Sequence, residues 1–180
     1  MGGQWEGFVG KSHSSQKEYE WMASLTPKNG VFVEVGSYHG VSAAWLAQKR
    51  PDLLIICVDP FPPKTDEYDE SGDINLWIQN KQETMRLFVG SLKEFWHIAK
   101  RGIADTIFID GDHRYDPVMA DLHDALRVCT PDGRIFCHDY SRPRDEDVSD
   151  VARAVNDFCK TLSFKIEKQT WSTVLIDRSV

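Results

Sequence analysis

Five short apolar runs, each followed by a segment with helical periodicity, leave this chain few ways to fold. The runs are Val31–Val35, Leu53–Val58, Arg86–Val89, Thr106–Ile109 and Arg134–Cys137. The spacing predicts helices over Val41–Lys49, Ile74–Thr84 and Ser91–Lys100, a fourth opening at Asp116-Pro117 and a fifth from about Asp147. In the fourth, Val118, Leu122, Ala125, Leu126 and Cys129 share a face. In the fifth, Val148, Val151, Ala152, Val155, Phe158, Cys159 and Leu162 do. Strands separated by helices pair in parallel, because each crossover must return the chain to the same edge. Leu53–Val58 and Thr106–Ile109 are apolar throughout, as in strands covered on both faces. Phe164–Lys168 and Thr173–Ile176 break the alternation and read as a hairpin that adds an antiparallel edge. The expectation is a Rossmann-like, doubly wound α/β sheet of seven strands, mostly parallel with an antiparallel C-terminal strand. Ahead of it, Ser15 and Glu18 form a capping box for a helix to about Leu25.

At 180 residues with 41% hydrophobic and 27% charged side chains, the expectation is a single domain over 1–180. Within it, 1–29 is an N-terminal segment and helix, and 60–84 is an acidic loop plus helix able to act as a lid. A net charge of −7 argues against a nucleic-acid partner and against a membrane surface. The first residues carry no basic and apolar leader, and Glu6 replaces the Ser or Thr of a myristoylation signal. Cys57, Cys129, Cys137 and Cys159 are too far apart for metal-ligand spacing and read as free core thiols, which fits a cytoplasmic protein. The aromatic content points to a homodimer.

In open parallel sheets, ligands bind at the carboxyl ends of the strands. Here those ends carry Glu34 with Gly36, Asp59, Gly90 with Ser91, Asp110 with Asp112, and His138 with Asp139. A carboxylate at such an end must be solvated, paired or bound. The turn Gly36-Ser37-Tyr38-His39-Gly40 lets backbone approach a ligand, but it lacks the middle glycine of a dinucleotide site. Glu34 beside it repels phosphate and suits a cationic ligand. Asp59 can accept from two ribose hydroxyls. Asp110-Gly111-Asp112-His113 delivers carboxylates and an imidazole to one edge. Carboxylate oxygens suit Mg²⁺ or Mn²⁺, and an imidazole suits general-base work.

These residues resemble class I S-adenosylmethionine (SAM)-dependent methyltransferases. Glu34 to Ser42 is similar to motif I, in the E-x-G-x-Y-x-G-x-S form of catechol O-methyltransferases. Ile109 to Tyr115 resembles the I-D-G-D-H-x-Y signature of a small bacterial and phage-type group, methyltransferase domain family 24. Pro131-Asp132-Gly133 with His138-Asp139-Tyr140 matches that group's later strand. The resemblance implies that Gly36, Ser37, Tyr38 and Gly40 shape the methionine pocket and that Ser42 holds its carboxylate. Glu34 would stand behind the loop or on the amine side, and Asp59 would bind the ribose. Ser91 and Leu92 would border the adenine. Asp110, with Gly111, would face the cofactor amine.

It also implies a metal at Asp110, His138 and Asp139, with His138 in place of an oxygen ligand. A catechol-type base lies three residues after the first metal acid, which is His113 here. Asp110, His113 and His138 are therefore the catalytic candidates. The expected reaction is O-methyl transfer from SAM to a small-molecule or sugar hydroxyl, aided by Mg²⁺ or Mn²⁺. Metal-independent transfer, a non-catalytic SAM-binding protein and a nicotinamide-dependent oxidoreductase are the alternatives. Trp5, Trp21, Trp77 and Trp96 are candidates for an aromatic site, and Arg142 and Arg144 for an acidic acceptor.

Overall fold

The computed structural model describes residues 4–62, 72–99, 101–141 and 148–178. The elements are α1 (Gln16–Leu25), β1 (Val31–Val35), α2 (Val41–Lys49), β2 (Leu54–Asp59), α3 (Ile74–Asn80), β3 (Met85–Val89), α4 (Leu92–Ile98), β4 (Ala104–Ile109), α5 (Tyr115–Val128), β5 (Cys129–Cys137), α6 (Asp150–Leu162), β6 (Lys165–Thr170) and β7 (Thr173–Asp177). One seven-stranded sheet has the order β3-β2-β1-β4-β5-β7-β6. The first five strands are parallel, and β7 runs antiparallel between β5 and β6. β1 and β4 are neighbours whose crossovers leave in opposite directions, so the switch point lies between Val35 and Ile109.

Side-chain alternation divides the core between the two faces. Phe32, Ile55, Phe108 and Phe136 face α1 and α2 with Tyr19, Met22 and Leu46. Val33, Ile107, Ile109 and Ile135 face the other side with Phe95, Leu122, Val155 and Phe158. All four thiols are free and buried. Among the described residues, no helix is long and apolar enough to cross a membrane.

Several boundaries differ from those expected. Helix α3 ends at Asn80 rather than Thr84: the Asn80 amide donates to the Val9 and His39 carbonyls, turning the chain there. Helix α5 opens at Tyr115, with Arg114 as its N-cap. Asp116 and Pro117 therefore sit inside the first turn, where a proline removes no intrahelical bond. Helix α6 begins at Asp150 behind a Ser149 cap, which leaves Val148 outside it and 65% exposed. Strand β5 starts at Cys129, and its register with β4 shifts between Ala104 and Thr106. That irregularity carries Pro131-Asp132-Gly133, which had read as a turn.

Burial beside Asp124 and Asp112 raises the Asp121 carboxyl on α5 to about 7. A folded-state pKa above the unfolded value of about 4 contributes stability below that value, and the contribution is lost as pH rises toward 7. Asp121→Asn is therefore expected to raise the melting temperature at pH 8 and leave it nearly unchanged at pH 4.5, a difference of about 1 kcal/mol. Equal shifts at the two pH values in a thermal melt would contradict this.

Candidate functional site

The glycine turn follows β1 and is fixed from several sides. The Gly36 N–H donates to the Val58 carbonyl at 2.9 Å, and the Gly40 N–H to the Ser37 carbonyl at 2.7 Å. Gly36 has φ +84°, and a Cβ there would lie 2.1 Å from the Asp110 carbonyl oxygen. A Cβ on Gly40 would lie 2.5 Å from the Trp77 ring. Both glycines are thus required by close approach, the first to β4 and the second to α3. Beneath the turn, Glu34 is 1% exposed. It accepts from Ser37 Oγ at 2.5 Å, Tyr19 Oη at 2.5 Å and Ser42 Oγ at 3.0 Å. Burial pushes its carboxyl up to about 7 despite these donors. The Ser37 and Ser42 hydroxyl protons are therefore directed to Glu34. The Trp77 indole N–H donates to Ser37 Oγ at 3.0 Å.

Asp59 closes β2. Its oxygens accept backbone N–H groups from Tyr38 at 2.8 Å and Phe61 at 2.7 Å. Burial raises its pKa against these amides and that of Ser37. A carboxylate's remaining lone pairs suit a vicinal diol. Across the strand pair stands Val89, 55% exposed at the end of β3. Ser91 caps α4 in a capping box with Glu94, and Leu92 is buried beneath it. These residues thus lie at the expected strand ends.

On the other side of the switch point, Asp110, His113, His138 and Asp139 converge. His113 Nε2 lies 3.2 Å from Asp139 Oδ2 and 3.7 Å from Asp110 Oδ1, with its side chain 46% exposed. His138, at 5% exposure, has Nδ1 at 2.9 Å from Asp110 Oδ1, a charge contact rather than an aligned hydrogen bond. Its Nε2 is hydrogen-bonded to Ser172 Oγ at 2.9 Å and lies 3.6 Å from Glu18 Oε1. Burial opposes charge on His138, but Asp110, Asp139 and Glu18 outweigh it and raise its pKa well above the usual value. Burial likewise works against Asp110, yet His138 and His113 hold that carboxyl down at about 2.

Among the described residues, Asp110, His113 and Asp139 have ligand atoms that all lie within 4.8 Å of one another. His138 Nδ1, the imidazole expected with these carboxylates, also lies 2.9 Å from Asp110 Oδ1 and 3.4 Å from Asp139 Oδ2, but its side chain is buried where that of His113 is half exposed. Asp112 is apart: it accepts the Arg114 N–H at 2.9 Å and pairs with that guanidinium. It anchors the start of α5. Gly111 borders the cluster, with no atom within 3.7 Å of where a Cβ would be.

Three contributors escaped the sequence reading. Ser14 Oγ donates to Asp110 Oδ2 at 2.9 Å, Tyr19 reaches Glu34, and Glu18 accepts from Thr173 Oγ1 at 2.8 Å and Ser172 Oγ at 3.1 Å. Burial would raise Glu18, but His138 brings it down to about 2. Glu18 had read as a helix cap alone, and it is one, receiving the Ser15 N–H. Trp5 and Trp77 are core, whereas Trp171, not singled out from sequence, is 64% exposed in the turn beside Ser172. Residues 63–71 of the acidic loop, and Arg142 and Arg144, lie outside the described residues.

A glycine-bracketed turn after β1, a carboxylate closing β2 and this sheet order together define the class I, SAM-dependent methyltransferase fold. The chain belongs to the methyltransferase domain family, which matches residues 33–140. An uncharacterized protein of Acanthamoeba polyphaga mimivirus is 27% identical over 113 residues, 61% of this chain. The chain spans about half, 51%, of that relative's length. A putative caffeoyl-CoA O-methyltransferase from Staphylococcus aureus superposes with a TM-score of 0.63 at 14% identity, covering 92% of this chain and 84% of that one. An O-methyltransferase from Bacillus cereus, in complex with S-adenosylhomocysteine, gives 0.60 at 14% identity over 91% and 80%. A putative rRNA methylase from Clostridium thermocellum gives 0.60 at 14% identity over 89% and 93%. At these identities the solved structures share the fold alone.

Proposed function

We propose that the protein transfers the methyl group of SAM to a hydroxyl oxygen of a small-molecule or sugar acceptor, with His113 as general base. The observation that carries this is the half-exposed His113 ring, oriented by Asp139 at 3.2 Å and placed across the switch point from the glycine turn. The acceptor set on the cofactor side fits SAM: Asp59 retains lone pairs for the ribose hydroxyls, Asp110 offsets the positive charge, and Glu34 holds the turn from beneath. When bound, SAM supplies an activated methyl group, so the protein contributes proximity, orientation and removal of the acceptor proton. With the Nε2–H of His113 directed at Asp139, the other ring nitrogen, Nδ1, takes the acceptor proton as the new carbon–oxygen bond forms and the methyl–sulfur bond breaks. Net charge −7 supports a small acceptor over a phosphate backbone.

A second form of this reading rests on the converging atoms of Asp110, His113 and Asp139. Two carboxylate oxygens and an imidazole nitrogen suit Mn²⁺ or Fe²⁺ better than Mg²⁺. An ion there would lower the pKa of the acceptor hydroxyl, and His113 would then be a ligand instead of the base.

Calorimetric titration with S-adenosylhomocysteine, in EDTA and then with Mn²⁺, tests both. Micromolar binding that weakens at least 50-fold in Asp59→Ala is expected, since two charge-assisted hydrogen bonds are lost. A separate Mn²⁺ heat lost in Asp110→Ala favours the metal form, and full turnover in EDTA favours His113 acting alone. No binding of S-adenosylhomocysteine under either condition overturns methyl transfer and points to nicotinamide ligands.

A further inference from the structure

The family match begins at residue 33, yet the segment ahead of it touches three groups at the catalytic edge. Ser14 reaches Asp110 on the β4 side, Glu18 approaches His138 on the β5 side, and Tyr19 reaches Glu34 in β1. Tyr19 makes the deepest of these contacts. Its ring is 1% exposed and packs against Trp5, Phe32 and Phe108. Phenylalanine would fill that space, so packing alone does not require the hydroxyl. The hydroxyl donates at 2.5 Å to Glu34 Oε1, the oxygen that also accepts from Ser42. The other oxygen, Oε2, takes Ser37 Oγ from the glycine turn at 2.5 Å.

Tyr19 on α1 is thus joined through a single carboxylate to the turn and to the first helical turn of α2. A buried carboxylate that loses a donor must find another or become neutral. Ser37 and Ser42 already donate to Glu34, so a shift or neutralisation of the carboxylate would displace both serines and with them the turn.

We propose that Tyr19 is a positioning residue of the cofactor site, acting through Glu34 on the turn Gly36–Gly40, and that α1 is a working part of the site. This rests on the SAM reading above. S-adenosylhomocysteine titration of Tyr19→Phe is expected to show about tenfold weaker binding, the loss of one buried hydrogen bond to a charged group. Glu34→Gln weakens binding by a similar factor, and the double variant loses no more than the worse single one, because both act on one linkage. Amide exchange at Ser37–Gly40 speeds up in Tyr19→Phe without ligand.

Thr26→Ala is the control. It removes a buried hydroxyl bonded to Thr106 at the far end of α1, and it lowers the melting temperature while leaving affinity unchanged. Wild-type affinity in Tyr19→Phe, additive losses in the double variant, or equal weakening in Thr26→Ala would each overturn the role of Tyr19. A wild-type protein that fails to bind S-adenosylhomocysteine overturns the cofactor reading instead.

Discussion

Gly36→Ala is expected to destabilise the protein by about 3 kcal/mol and to remove cofactor binding. Two independent costs meet at this position. The φ of +84° lies where an L side chain is strained, at roughly 1 kcal/mol or more. The added methyl would also stand 2.1 Å from the Asp110 carbonyl oxygen, and that obstacle is backbone. Relief requires β1 and β4 to part at the switch point, disturbing the bond from the Asp110 N–H to the Val35 carbonyl at 2.8 Å. For a chain of this size, 3 kcal/mol corresponds to a fall in melting temperature of about 10 °C. Urea unfolding and S-adenosylhomocysteine titration of the same preparation test the pair of effects. A melting temperature within 2 °C of wild type would mean that the two strand ends do not approach so closely.

His113→Gln is expected to lower kcat by about 100-fold or more while leaving S-adenosylhomocysteine affinity within about twofold. Glutamine keeps a polar group of similar reach beside Asp139 but cannot accept a proton near neutrality. The acidic limb of the pH–rate profile should disappear with it. Transfer of labelled methyl from SAM to the fastest acceptor in a panel of phenols and sugars provides the assay. If His113 is instead a metal ligand, the variant loses Mn²⁺ affinity, and added Mn²⁺ restores part of the rate. A variant with wild-type kcat and an unchanged profile would remove His113 from the chemistry.

The strand-end residues were legible because each follows its own apolar run in the chain. Glu34, Asp59, Asp110 and His138 each sit at or next to the last residue of a strand. The alternation also announced the parallel sheet and the antiparallel addition. Elements went astray where local chemistry conflicts with the larger structure. Pro131 and Gly133 ordinarily stop a strand, yet here they occupy an irregular stretch of β5. Asp116-Pro117 looks like a cap, but Asp112 already holds the Arg114 N–H one residue before the helix. The contacts of Glu18 lie beyond local reading altogether, since Ser172 and Thr173 are 154 and 155 positions away. A glutamate at the third helical position is fully explained by capping, so nothing in its surroundings signals a second task. The difference between His113 and His138 has a similar origin: spacing places both near the edge, and only packing buries one and exposes the other.

The strand order carries a consequence for how such a protein can be altered. Groups assigned to the cofactor come mainly from the ends of β1, β2 and β3, on one side of the switch point, and those assigned to the acceptor from the ends of β4 and β5 on the other. The boundary between them coincides with the middle of the chain, so a chimaera joined between β3 and α4 would inherit its donor site from one parent and its acceptor preference from the other. Helix α1 and the segment leading into it span that boundary, with Tyr19 on the donor half and Ser14 and Glu18 on the acceptor half. A graft that swapped halves without matching α1 to both would join two sound parts across a broken hinge-pin.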